Sequence, residues 1–312
     1  MATKITRREL LGGAAALAVG SALGPGFAHA GNRPYRAFTD GSYWNTRMPF
    51  DAPVDTRSAM WIDWLAHHNP TPDILVGGHS GWAHPIYFAT HSDPLVTMRP
   101  TRFVTNLRVT FRLPRNAKPM DGPDAEMSVI DRTTNQDVHL FKFARRSDGT
   151  PTCEGMARYW LNSSGIAEAL GGRAGNIGHR GVPGFQHGFM ESEIATGAIM
   201  RRLKFSIPQT GSTCFYPMYS GQGHDGVIPE GVVMRIKPHI RVSDRVSRGA
   251  LVIARACKRY GIIVGDSSGQ RTTIKGQMGV DWTRYGIPAD FHALEAFPIK
   301  RDWEFVRAGW RP

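Results

Sequence analysis

Alternation of apolar and polar positions dominates the first half of the chain. In Phe103–Leu113, residues Phe103, Thr105, Leu107, Val109, Phe111 and Leu113 take one face, and Val104, Asn106, Arg108, Thr110 and Arg112 the other. A period of two predicts an antiparallel strand with one wet face. Shorter runs at 86–90, 95–98, 158–161, 202–207, 232–237 and 262–266 read as further strands, and 126–131 with 137–143 as a hairpin turning at Thr133-Thr-Asn135. Helical spacing marks 58–66 (behind a Ser58 N-cap), 191–196 and 248–260. Many short strands, frequent turn residues and few helices predict an all-β-dominated fold, an antiparallel β-sandwich or jelly-roll over residues 31–312. Residues 163–188 form a glycine-rich connection, and loops of that length are usually functional or disordered.

The first thirty residues read differently. Thr6-Arg7-Arg8-Glu9-Leu10-Leu11 leads into a Gly/Ala-rich apolar run to Leu23, and Ala28-His29-Ala30 offers a small-x-small cleavage pattern. Twin arginines before a weakly hydrophobic segment predict a Tat signal at 1–30, hence engagement of the Tat translocon and a secreted, periplasmic or cell-wall destination. Gly24-Pro25-Gly26 interrupts the run before the roughly 20 apolar residues a membrane span needs, so no membrane association is expected after cleavage. The whole chain carries a net charge of +12; Lys4, Arg7, Arg8 and Glu9 account for +2, leaving +10 after cleavage. With 41 % hydrophobic residues and eight tryptophans there is ample material for a core, which excludes a disordered chain.

Three cysteines follow the signal. Cys153 and Cys214 lie in polar, loop-like settings where an exported protein permits a bridge, whereas Cys257 falls within an apolar helical run as a small buried residue. No C-x-x-C spacing exists, which excludes zinc fingers and thioredoxin-like sites. P-loop, dinucleotide and G-x-S-x-G fingerprints are also absent. His67, His68, His79, His84 and His91 match no paired-ligand spacing and read as surface and core histidines, so no metal centre or cofactor is assigned. Calcium through Asp121, Asp124, Glu126 and Asp131 stays an alternative to a plain hairpin loop.

The ordered phrases Ser42-Tyr-Trp-Asn45, Ala52-Pro-Val-Asp55, Val129-Ile-Asp131, Gly178-His-Arg-Gly181, His224-Asp-Gly226, Ile228-Pro-Glu-Gly231, Arg259-Tyr-Gly261 and Gly265-Asp266 resemble a group of secreted bacterial proteins frequent in actinobacteria. The resemblance spans most of residues 40–275 and carries no catalytic assignment. Sandwich-type polysaccharide lyases and glycoside hydrolases are similar at the level of fold, an analogy that bears weakly on function.

Two glycine-flanked loops carry the most suggestive chemistry: Asn176-Ile-Gly-His-Arg-Gly181 and Gly221-Gln-Gly-His-Asp-Gly226. His179, Arg180, His224 and Asp225 are the expected catalytic set, converging on one rim of the sandwich. Glu126, Asp131, Tyr216, Tyr219 and Trp82 are the expected substrate contacts, and Asp124, Glu154, Glu230 and Asp266 complete the candidate acids. Scattered arginines and export argue against nucleic acid and for an extracellular, acidic polysaccharide. The reading is an exported carbohydrate-active enzyme working by β-elimination. A glycoside hydrolase with paired carboxylates and a non-catalytic glycan-binding protein are the alternatives.

Overall fold

The computed structural model describes residues 34–77, 83–167, 178–219, 221, 225–242 and 246–312. Strand accounts for 26 % and helix for 17 %, so the fold is sheet-dominated, as the alternation predicts. In chain order the strands are β1 Leu75–Gly77, β2 Ile86–Ala89, β3 Leu95–Met98, β4 Val109–Arg112, β5 Met127–Asp131, β6 Gln136–Phe141, β7 Ala144–Arg145, β8 Pro151–Thr152, β9 Gly155–Trp160, β10 Gly188–Phe189, β11 Leu203–Ile207, β12 Val233–Ile236, β13 Ile262–Ser267, β14 Thr273–Gly276 and β15 Trp303–Phe305. The helices are α1 Ser58–His68, α2 Glu191–Thr196, α3 Arg248–Arg259 and α4 Ile299–Asp302.

Two larger sheets organise the molecule. One runs β1-β14-β11-β13-β12-β15 with β10 attached to β14; the other runs β2-β5-β6-β9. Both are mixed rather than antiparallel throughout, because β1 and β10 pair with β14, β11 with β13, and β2 with β5 in parallel. The run Ile262-Ile263-Val264 explains why. A strand apolar on both faces belongs inside a sheet covered on both sides, the setting of parallel pairing. Ile262 and Val264 face a core with Trp61, Leu65, Ile253 and Cys257 from α1 and α3. Ile263 faces a second core with Ile130, Ala157 and Tyr159 of the other sheet. Met127, Val129, Val138 and Leu140 close a third core with β3 and β4.

Local expectations met different fates. The hairpin forms with Asp131 opposite Gln136, and α1, α2 and α3 occupy their expected places. Ser58 is inside α1 rather than its cap, with Oγ accepting from Phe305 N. The strand expected over 103–113 shrinks to β4, because Val104 adopts a left-handed φ of 54° and Leu107 N donates back to its carbonyl. All three cysteines are free. Cys153 packs in the third core and Cys214 borders the second, which is why no Cys153–Cys214 bridge forms.

Asp131, an expected substrate contact, instead closes the β5–β6 turn. Its carboxylate accepts from Thr133 N and Oγ1, Thr134 N and Oγ1, and Arg112 N. Burial pushes this carboxyl up, but the hydrogen bonds outweigh burial and hold it below its ordinary value. A folded-state pKa below the unfolded one stabilises above about pH 4 and is lost as pH falls through the folded value. Asp131→Asn is therefore expected to lower the melting temperature at neutral pH and to flatten its decline below about pH 4. Parallel acid curves for both proteins would show the turn network to be idle.

Candidate metal centre

Alternation along the buried strands sorts their side chains between cores. In β5 and β6, Val129, Val138 and Leu140 point to the third core, so Ser128, Asp137 and His139 share the opposite face. Ser128 and His139 are direct cross-strand partners, which brings their side chains together. In β11, Leu203, Phe205 and Ile207 face the helices, leaving Lys204 on the inner face. Lys275 of β14 does the same beside Ile274. His84 is stitched to the larger sheet, its N–H donating to Gly276 O and its carbonyl accepting from Met278 N. His187 ends the 3-10 turn Gly184–His187, just ahead of β10.

The result is three buried imidazoles, His84, His139 and His187, each offering a nitrogen within 4.8 Å of the others. Ring centroids lie 4.4 Å apart for His139–His187 and 4.8 Å for His84–His187. Three nitrogens at about 2.0–2.1 Å from a zinc ion stand about 3.4 Å apart in a tetrahedral site, so small ring rotations close this set on a cation. The surroundings fit. Burial, with His139 and the lysines adding to it, holds the His84 ring well below the ordinary imidazole range, the neutral form a metal requires. His84 Nε2 lies 2.8 Å from Ser128 Oγ, a contact that fixes the ring, while Nδ1 has no hydrogen-bond partner among the described residues. Glu126 Oε1 stands 3.9 Å from His139 Nε2. Lys204, driven down in pKa by burial and held up by Asp266 at 3.1 Å, completes the chamber with Lys275.

One buried arginine frames the site. The Arg201 guanidinium donates to both carboxylate oxygens of Glu193, to Phe185 O, Gln186 Oε1 and Gly188 O. These acceptors bracket His187 on both sides. Gly184 sits where any Cβ would fall 2.4 Å from Ser128 Oγ and 2.8 Å from Asp137 Oδ1, so the turn can dock on β5 and β6 only without a side chain. Asp137 accepts from Phe185 N, and burial raises its carboxyl to about 7. Gln277 joins the other edge, accepting from Glu191 N and donating to Ile86 O.

Of the expected catalytic set, His224 and the side chain of His179 lie outside the described residues, as does Trp82. Arg180 adopts a left-handed φ of 51°, and its guanidinium lies 3.7 Å from the buried Glu230 carboxylate. Tyr219 N donates to Arg180 O, and a Cβ on Gly181 would meet Pro217 O at 2.9 Å, so the 178–181 turn docks on 217–219. Asp225 is exposed. Burial raises the Tyr219 phenol to about 12, with Arg180 opposing it. Tyr216 packs edge-on against Tyr43 beneath Arg311.

Among the described residues, Glu126 alone of the expected substrate contacts lies beside the three histidines. It lies five strand residues, about 16 Å of extended chain, from Asp131, while Asp121 and Asp124 are exposed, so the calcium set is not gathered. His67, His68 and His91 are surface residues and His84 a core residue, as expected, while His79 lies outside the described residues. His139 and His187 were not singled out by sequence. The signal was present in Asp137-Val-His139, where polar residues alternate with core ones inside a hairpin. No protein-family model, curated protein or solved structure matches the chain.

Zinc added to metal-free protein at a hundredfold excess over Kd is expected to stabilise it by about 2.7 kcal/mol, read as a rise in melting temperature. His139→Ala and His187→Ala should each abolish the rise; a response kept by both variants would place the metal elsewhere. Arg201→Met, which strands the Glu193 carboxylate, should cost about 3–5 kcal/mol in denaturant unfolding. Wild-type stability would show that the clamp does not hold the turn.

Proposed function

We propose that this chain is an exported, metal-dependent enzyme that cleaves an acidic extracellular polysaccharide by β-elimination. Residues 31–312 form its sandwich-like catalytic domain behind a cleaved twin-arginine signal. The observation that carries the reading is the set of three buried imidazoles, with Lys204 and Lys275 beside His84, in a chain of net charge +12. Three histidine ligands with a fourth position open are the donor set of catalytic rather than structural zinc. Such an ion supplies Lewis acidity toward a carboxylate oxygen.

The chain's own groups do the rest. Elimination removes the proton α to a uronate carboxylate, forms the ring double bond and breaks the glycosidic C–O bond, whose oxygen then takes a proton. Lys204 and Lys275 place positive charge where the enediolate develops. Glu126, 3.9 Å from His139, is the base that takes the α-proton. Lys275 and Asp266, both half-buried, are the partly exposed groups beside the buried histidines. A second reading, hydrolysis, draws support from Glu126 and Asp266, two carboxylates that both act on Lys204.

Zinc-loaded protein assayed on polyuronates is expected to release products with the ultraviolet absorbance of an unsaturated uronate, and chelation should abolish it. Lys204→Met should lower kcat by about 10²–10³. Reducing ends released without that absorbance would replace elimination by hydrolysis. Saturable binding with no product from any polymer would leave a binding protein.

A further inference from the structure

A second basic feature lies away from the histidine chamber. A groove of about 450 Å³ runs between α3, the turn Met48–Phe50 and the segment Gly197–Ile199. Arg235, Arg255, Lys258 and Arg259 line it and no acidic side chain does. Two of these cations build the walls. Arg235, buried, pairs with Glu304 and donates to Pro49 O and Ala52 O, fixing the turn that presents Phe50. Lys258 Nζ donates to Ile240 O. The other two are uncommitted: Arg255 and Arg259 are exposed, and among the described residues neither guanidinium has an ion-pair or hydrogen-bond partner. They stand at i and i+4 on α3, about 5–6 Å apart at Cβ. Phe50 is 75 % exposed at the rim, the largest exposure of any apolar side chain among the described residues.

An exposed aromatic ring beside unpaired, planar guanidinia is the chemistry that stacks on a sugar face while accepting its carboxylates. We propose that this groove is a second saccharide-binding site that holds an acidic segment of the polymer outside the catalytic chamber. Arg255 and Arg259 fork onto successive carboxylates and Phe50 stacks on the face of one of the rings that carry them. The inference takes its polymer class from the proposed function but rests on the groove, and binding reads it without turnover. Nucleic acid suits the groove less well, since a single aromatic and a short pair of cations do not make the extended basic, aromatic-interleaved track it requires.

The test uses full-length protein freed of metal by chelation, so that nothing is cleaved, titrated calorimetrically with an oligogalacturonate, a neutral glucan oligomer and a single-stranded oligonucleotide of matched charge. Arg255→Ser/Arg259→Ser is expected to weaken oligogalacturonate binding at least about tenfold, and Phe50→Ala to weaken it at unchanged salt dependence. Turnover of a short uronate substrate by the zinc-loaded variants should be unchanged, while KM for the polymer rises. Oligogalacturonate affinity unchanged in the double variant overturns the site. Equal binding of the oligonucleotide, lost in the same variant, overturns the saccharide assignment. These outcomes stand even where no product forms, so failure of the groove and failure of the lyase reading are told apart.

Discussion

The site depends on a single guanidinium. Arg201 is fully buried and spends all five N–H donors, two on the Glu193 carboxylate and three on acceptors at residues 185, 186 and 188. A buried charge is tolerated only when paired and hydrogen-bonded, so the presence of Arg201 at that depth forces Glu193 and the 185–188 carbonyls into one arrangement. Glu193 serves twice, because it also accepts from Met190 N at the start of α2. His187 has little freedom between these fixed points. Its ring is thereby held against those of His84 and His139.

The space between the two sheets is divided in kind. One part is filled by Ile86, Ile130, Tyr159, Val182, Val233 and Ile263, an ordinary apolar core. The other holds three histidines, two lysines and the carboxyls of Glu126, Asp137 and Asp266. Burying that many ionisable groups opposes folding, and replacing them with packed apolar side chains would generally be neutral or stabilising. Clusters of buried ionisable groups of this kind are found both at functional sites and in structural ion-pair networks. The apolar part supplies the burial that makes the polar part affordable.

Charge has two roles in this molecule. Arg201, Arg202 and Arg235 are interior struts, holding backbone carbonyls across long sequence separations: Arg202 ties Tyr43 O to Tyr260 O, and Arg235 ties the 49–52 turn to β12. Such arginines add to the net positive charge while their donors are committed to internal carbonyls. Others, Arg255 and Arg259 among them, are exposed and make no such internal bonds among the described residues, and a net charge of +12 by itself does not distinguish the two populations.

The hairpin over 126–143, the helices α1 to α3 and the strands β9, β11, β12 and β13 were legible in sequence, because period and turn chemistry are local properties. The short strands β1, β10, β14 and β15 were not, since each is defined by the strand it pairs with rather than by an alternation of its own. The long strand over 103–113 was over-read, because alternation does not register the left-handed turn at Val104. The candidate site divides the same way. Glu126 was legible as an acid beside a strand, and His84 as a core histidine. That His84, His139 and His187 meet was decided by tertiary structure alone: they sit on a bridge between sheets, a strand interior and a 3-10 turn. Their approach is set by which strands pair in parallel and by the glycine that lets residues 184–187 dock. Neighbours across sheets leave no periodic trace along the chain, and so the centre could only be found once the sheets were assembled.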